Sequence, residues 1–306
     1  MRRSVIHIGA NKTASTTLQR ALFSQHSGLH YMGEDGVGYE DYRDIVNAMV
    51  ADDDLHFPAD VCRDLFDRHV SQASDKTFLY SNEDVMTSRI PVLCAQRLKS
   101  LIPDARILLV IRDQNTAIAS FYANHGAFLK PAPPSYYRRH VSLDDWLSSE
   151  LMFIKYGALA SFFYNRLLSN YADLFGPDNV HVLLFEELIA DKKVFVEKLC
   201  QVLDVELNEA IKLLAERHER PRITSRMLAY NRFRTWFFWG VPFTSYIPGG
   251  RWMAAAFQQF IESGPSANVE LSQVWREKIS DLYAKDNQAL ALAYDLPLDK
   301  YGYPLA

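Results

Sequence analysis

The residues that could do chemistry gather first between positions 9 and 17. Gly9-Ala10-Asn11-Lys12-Thr13-Ala14-Ser15-Thr16-Thr17 sets one lysine beside four hydroxyls. Such side chains compete with the backbone for hydrogen bonds, so a dense run of them prefers caps and turns to a helix interior. Free backbone N–H groups at a helix start point at an anion, and the helix dipole favours negative charge there. Lys12 adds a point charge, and Thr13, Ser15, Thr16 and Thr17 add donors. The stretch therefore reads as an anion cradle, with an ordinary N-cap as the plainer alternative. It is not the nucleotide loop GxxxxGK[ST], which has glycine directly before the lysine; Asn11 stands there instead.

The elements around the cradle follow from periodicity. Val5-Ile6-His7-Ile8 reads as a strand ended by Gly9, and Leu18, Leu22 and Phe23 recur at helical spacing. Thr77 to Ser81 is a second strand and runs into Asn82-Glu83-Asp84. Arg106 to Ile111 is a continuous apolar run, as expected of a central parallel strand covered on both faces. It stops at Arg112-Asp113. Val180 to Phe185 is a further strand ending at Glu186-Glu187. Helices are expected near Tyr42 to Val50, over Phe57 to Ala73, Ile90 to Leu101, Asn115 to about Phe128, Lys192 to Leu203 and Asn208 to Arg217. Trp146 to Phe175 reads as one long helical region. Gly28 to Asp54 reads as a loop-rich excursion holding only the short helix near Tyr42.

Strands alternating with helices imply a parallel sheet with crossover helices. Ligands bind such sheets outside the carboxyl ends of the strands. Those ends carry the 9–17 loop, Ser81-Asn82-Glu83, Arg112-Asp113 and Glu186-Glu187, so the polar candidates converge. Glu83 is either a solvated strand-exit carboxylate or a base. Glu186 and Glu187 read as capping or pairing groups, and His7 as a structural residue orienting the loop.

Composition sets the outer limits. The chain has 306 residues, 48% of them apolar, enough for one large α/β domain or two smaller ones. Its 33 basic residues are outnumbered by 37 acidic ones, so no global excess points to nucleic acid and any anion binding is local. Cys62, Cys94 and Cys200 lack metal-ligand spacing and read as three buried thiols in a reducing compartment. No run reaches the length of about 18 apolar residues that crosses a bilayer. The apolar run after Arg2 and Arg3 is too short for a signal peptide. The expected location is cytoplasmic, free or at a membrane surface. Residues 130–142, KPAPPSYYRRHVS, form a proline-rich basic loop. Arginines cluster from Arg217 to Arg234, ahead of Trp236-Phe237-Phe238-Trp239. The aromatic segment 236–247 packs on the core, walls an acceptor site or touches a membrane surface. Oligomeric state has no signature.

The 4–23 stretch resembles the 5′-phosphosulfate loop of the sulfotransferase family, which in bacterial members runs roughly HxGxxKTGTTxLQ after the first strand. His7, Gly9, Lys12, Thr13, Thr16, Leu18 and Gln19 match. Ala14 stands where the family has glycine, and Ser15 where it has threonine. The family's second signature is an arginine at the end of a central strand with a serine about eight residues on, together holding the donor's 3′-phosphate. Arg112 and Ser120 in IRDQNTAIASFY fit it. That interval is just over two helical turns once the loop is discounted, so both side chains can face one phosphate. Val180 to Leu188, Leu282 to Asn287 and Asp299 to Pro304 also resemble the family. The resemblance is thin over 24–76 and 128–175.

What the resemblance implies is a three-layer α/β fold, a central parallel sheet flanked by helices like that of P-loop NTPases. It implies one sulfotransferase-like domain over 1–306, with a helical, Arg- and aromatic-rich part from about 208. The donor would be 3′-phosphoadenosine-5′-phosphosulfate, held by Asn11, Lys12, Thr13, Ala14, Ser15, Thr16, Thr17, Arg112 and Ser120, with no metal. Lys12 would stabilise charge on the leaving phosphate. Glu83 would be the catalytic base, with His125 as its competitor. The acceptor would be a hydroxyl, of a glycan or polysaccharide. Two other classes stay open: a P-loop kinase, against which Asn11 before Lys12 argues, and a non-catalytic nucleotide- or glycan-binding protein, for which Ala14 argues.

Overall fold

A computed structural model describes residues 3–10, 12–51, 53–125, 139–215, 223–236 and 250–306. Five strands form one sheet: β1 (Ser4–His7), β2 (Leu29–Met32), β3 (Thr77–Ser81), β4 (Arg106–Ile111) and β5 (Val180–Leu184). Their order is β2-β3-β1-β4-β5, and every pairing is parallel. The expected parallel α/β architecture is therefore the observed one.

Parallel neighbours need crossover connections, and helices supply them. After β1 comes α1, one α-turn at Ser15–Thr17 that widens into a π-helix over Leu18–Phe23. α2 (Tyr39–Met49) and α3 (Ala59–Gln72) link β2 to β3. α4 (Asp84–Thr87) and α5 (Pro91–Leu101) link β3 to β4. α6 (Gln114–His125), α7 (Leu143–Met152) and α8 (Tyr164–Phe175) precede β5. After it come α9 (Phe185–Ala190), α10 (Lys192–Leu203), α11 (Leu207–Ala215), α12 (Ser225–Thr235), α13 (Gly250–Glu262) and α14 (Gln273–Tyr294).

The period-2 alternation of strand side chains divides the core into two layers. Ile6, Phe78, Tyr80, Ile107, Leu109 and Ile111 face one way, covered by α2, α3, α5, α6, α8 and α14. Val5, Leu79, Leu108, Val110 and Leu183 face the other, covered by α1, α10 and α11. At roughly 25 cal/mol per Å² of apolar surface, burial on both faces is the main stabilising term. It also explains why β4 reads as an unbroken apolar run. The three cysteines are free and buried, as their spacing suggested.

Two expectations are corrected. Gly28 to Asp54 contains a strand, β2, whose sequence LHYM is short and interrupted by His30. β2 pairs with β3 alone at the sheet edge, so its half-covered surface tolerates the polar residue. The long helical region is two helices, α7 and α8, parted by 3-10 turns at Ile154–Tyr156 and Ala158–Phe162. Gly157 sits in the break. The Glu150 carboxylate folds over it, into the space a Cβ would take, and accepts the Leu159 N–H at 3.2 Å. That carboxylate satisfies a backbone donor that a continuous helix would have kept internal. The C-terminal end of α2 is held by Arg97, which is 3% exposed and donates to the carbonyls of Ala48, Met49, Ala51 and Asp53.

Candidate active site

β1 lies between β3 and β4, so the carboxyl ends of these three strands open on a common edge. The chain leaves β1 through Ile8-Gly9-Ala10 and turns into the loop before α1. Lys12 and Ala14 both adopt left-handed backbone, with φ of 68° and 63°. The glycine that the family carries at the position of Ala14 is therefore explained by conformation, since only glycine takes that region without cost. Thr13 and Ser15 turn their hydroxyls inward onto the Ala10 carbonyl, at 2.7 and 3.2 Å. The Ala14 carbonyl accepts from the backbone N–H of Thr17 and Leu18, at 2.8 and 3.0 Å. Four loop N–H groups, those of Thr13, Ala14, Ser15 and Thr16, find no backbone acceptor among the described residues. Thr16 and Thr17 are half-buried. Asn11 lies outside the described residues.

The π-turn has a visible use. It buries Leu18, Gln19, Ala21, Leu22 and Phe23 within one six-residue stretch and aims Gln19 across the sheet end. Gln19 donates to the Ser81 hydroxyl at 3.0 Å, and Ser81 also bonds His7 Nδ1 at 2.8 Å. His7 and Ser81 are register partners on β1 and β3, which fixes that contact. Burial pulls the His7 pKa down to about 4, so its ring is neutral near pH 7. His7 Nε2 is buried with no partner among the described residues. His7 is thus a structural residue that ties β1 to β3.

Glu83 follows β3 directly. Asn82 fixes it on the N-terminal side: its amide donates to Tyr80 Oη at 2.8 Å, and its Oδ1 accepts the Asp84 N–H at 2.8 Å. The Glu83 side chain then lies over Gly9, its Cγ 2.8 Å from where a Cβ would stand. Gly9 is thus required by close approach. Burial raises the Glu83 pKa above the ordinary glutamate value, and Glu34 and Asp84 add to the shift. Ser15 and Lys12 pull the other way without cancelling it. Burial thus makes this carboxyl hold its proton more readily than an exposed glutamate does.

Arg112 leaves β4 toward the same loop. Its Nη1 donates to the Lys12 carbonyl at 3.1 Å, and its Nε to Thr116 Oγ1 at 3.1 Å. Its guanidinium lies 4.6 Å from the centre of the Phe185 ring, and Tyr164 Oη donates to the Arg112 carbonyl at 2.8 Å. Ser120 is half-buried one turn beyond Thr116, on the same face of α6. Asp113 caps α6 through the N–H groups of Thr116 and Asn115, at 3.0 and 3.3 Å. The two segments that sequence reasoning paired are therefore in contact.

Glu186 and Glu187 do pair. Glu186 accepts from Asp113 N–H at 2.9 Å and from Tyr303 Oη at 2.8 Å; Glu187 holds Lys198 at 2.7 and 2.9 Å. Sequence reasoning missed Phe185, Tyr164 and Tyr303, which touch or tie down the Arg112 turn. Only the strand-end position of Phe185 and the Tyr301-Gly302-Tyr303 tail gave any signal. The His125 side chain, Arg217, Arg220, Arg222 and the segments 126–138 and 237–249 lie outside the described residues, so the base competitor, most of the basic loop and the aromatic stretch have no structural account.

Comparison with known proteins identifies the arrangement. A sequence profile described as the sulfotransferase family matches residues 4–209, which includes every strand, the cradle, Glu83, Arg112 and Ser120. The chain belongs to the sulfotransferase family. Among solved structures, the sulfotransferase from Alicyclobacillus acidocaldarius is similar over 98% of this chain and 99% of its own, with a TM-score of 0.55 at 18% identity. The sulfotransferase domain from the curacin biosynthetic pathway covers 97% of this chain and 100% of its own, with a TM-score of 0.46 at 15% identity. A mouse sulfotransferase complexed with PAP covers 96% of this chain and 86% of its own, with a TM-score of 0.45 at 10% identity. No curated protein sequence matches. This sulfotransferase thus shares the family's sheet and its P-loop-like layout. Among the described residues no helix is long and apolar enough to cross a membrane.

Proposed function

We propose that this sulfotransferase moves a sulfonyl group from 3′-phosphoadenosine-5′-phosphosulfate to a hydroxyl of a glycan or polysaccharide. The observation that carries the reading is the contact between Arg112 and the Lys12 carbonyl at 3.1 Å. It joins the Arg112 guanidinium to the backbone of Lys12, so two cationic residues 100 positions apart in the chain meet at one edge of the sheet. A nucleotide with phosphate at two separate positions suits such a pair. Arginine offers a planar fork for one phosphate, and lysine a point charge for the other end.

The residues present fit that donor. Loop N–H groups of Thr13 to Thr16, with Lys12, Thr16 and Thr17, would take the 5′ end; Arg112 and Ser120 would take the 3′-phosphate. The donor brings the sulfonyl group and an already good leaving phosphate. The chain's own contribution is charge and position. Lys12 stabilises negative charge at the bridging oxygen. Glu83 Oε takes the acceptor proton, its raised pKa matching that task. The glycan acceptor rests on the resemblance, in which a glutamate after this strand acts as base. The test is incubation with sulfur-35-labelled donor and a panel of desulfated glycans. Label appears on a glycan and is lost in Glu83→Gln. Label transfer unaffected by that change would remove Glu83 from the reaction, and no transfer to any hydroxyl acceptor would favour a binding role.

A further inference from the structure

We infer that the C-terminal tail is a positioning device for Arg112, and that Tyr303 sets donor affinity without touching the donor. This rests on the reading of Arg112 as the 3′-phosphate ligand. The Arg112-Asp113-Gln114 turn is tied down from two remote segments. Glu186 Oε1 accepts the Asp113 N–H at 2.9 Å, and its other oxygen, Oε2, accepts from Tyr303 Oη at 2.8 Å. Asn287 on α14 exchanges amide hydrogen bonds with Gln114, at 2.7 and 3.0 Å, and donates to the Pro304 carbonyl at 2.9 Å. Tyr303 is 4% exposed, and Gln114 and Asn287 are fully buried. Breaking the Gln114–Asn287 exchange would leave buried amide groups unsatisfied, and the half-buried Glu186 carboxylate ties the same turn to the tail.

The arrangement is specific to the arginine. Glu186 and Phe185 are adjacent in α9: Glu186 grips the backbone after Arg112, while the Phe185 ring lies under its guanidinium. Releasing Tyr303 takes from the half-buried Glu186 carboxylate the donor to its Oε2. The carboxylate then turns, and the Asp113 N–H and the Phe185 ring move with it. The arginine head lies against that backing, with its guanidinium 4.6 Å from the Phe185 ring centre, its Nη1 on the Lys12 carbonyl and its Nε on the Thr116 hydroxyl. A tail residue 191 positions downstream thus fixes the side chain that meets the nucleotide.

Calorimetric titration separates this from general support of the fold. The ligands are 3′-phosphoadenosine-5′-phosphate and 5′-adenosine monophosphate, which lacks the 3′-phosphate. The proteins are the intact chain, Tyr303→Phe, Arg112→Ala and the double variant, with Glu186→Gln as a second way to break the tie. Tyr303→Phe keeps the ring and loses one hydrogen bond. It should weaken the bisphosphate about fivefold, leave the monophosphate unchanged, raise donor KM without changing kcat, and add nothing on top of Arg112→Ala. Unchanged bisphosphate affinity in both Tyr303→Phe and Glu186→Gln, or an equal loss for the two nucleotides, overturns the inference while leaving the donor reading intact. Unchanged bisphosphate affinity in Arg112→Ala overturns the donor reading itself, and the inference with it.

Discussion

Replacing Gly9 by alanine tests whether Glu83 is held where chemistry needs it. The new Cβ would stand 2.8 Å from Glu83 Cγ, 3.0 Å from His7 Cε1 and 3.3 Å from Ser15 Oγ. Carbon atoms rest about 3.5–4.0 Å apart, a shortfall of about 0.7–1.2 Å at Glu83. His7 cannot yield, since it is fully buried and bonded to Ser81. Ser15 is buried as well and closes the loop onto Ala10. The half-buried Glu83 side chain is the one that moves, by about 1 Å. A displacement of that size costs on the order of 100-fold in rate when the group is catalytic. Overpacking itself costs about 1–3 kcal/mol of stability. The assay is label transfer at saturating donor and acceptor, beside a thermal melt and a bisphosphate titration. Gly9→Ala should remain folded, bind the nucleotide within severalfold, and lose about 100-fold in kcat. Retention of kcat within about twofold, in protein that shows the melting loss, would refute a role for the Glu83 position.

Three further outcomes follow from the same site. Alanine in the left-handed region costs about 1–2 kcal/mol, against about 0.5–1 kcal/mol for the looser unfolded chain of glycine, so Ala14→Gly should stabilise by roughly 0.5–1 kcal/mol. A lower denaturant midpoint in Ala14→Gly would contradict the observed φ. For Glu83, a base must be ionised and its pKa is raised, so kcat should fall on the acid side with an inflection above 4.5. An inflection at or below that value, or the same profile in Glu83→Gln, contradicts the assignment. The linked stability runs the opposite way. A raised carboxyl pKa contributes stability below the unfolded value and loses it as pH rises through the folded one. Glu83→Gln should therefore gain melting temperature relative to the intact chain at pH 8 and lose that advantage at pH 4.

Much of the fold is legible because its strands are covered on both faces. β4 is a continuous apolar run after Arg106, β5 is apolar but for His181 and leads on into Phe185, and β1 and β3 end in turn residues. β2 escapes because an edge strand of four residues with His30 in the middle has no such signature. The break between α7 and α8 escapes because it depends on a carboxylate seven residues away folding over Gly157, which periodicity does not see. The π-turn escapes because Leu18, Leu22 and Phe23 fit an ordinary helix equally well. In the site, Lys12, Glu83 and Arg112 are readable from strand ends. The parts played by Tyr164, Phe185 and Tyr303 are not, since each rests on a long-range contact that a strand-end position or a tail pattern does not specify.

The central claim is that Lys12 and Arg112 grip opposite ends of one nucleotide. Titration of 3′-phosphoadenosine-5′-phosphate into the intact chain, Lys12→Ala and Arg112→Ala tests it most directly. The intact chain should bind, and each variant should lose at least about tenfold in affinity, as expected when a hydrogen bond to a charged group is removed. No heat with the intact chain, or equal affinity in Arg112→Ala, would contradict the account.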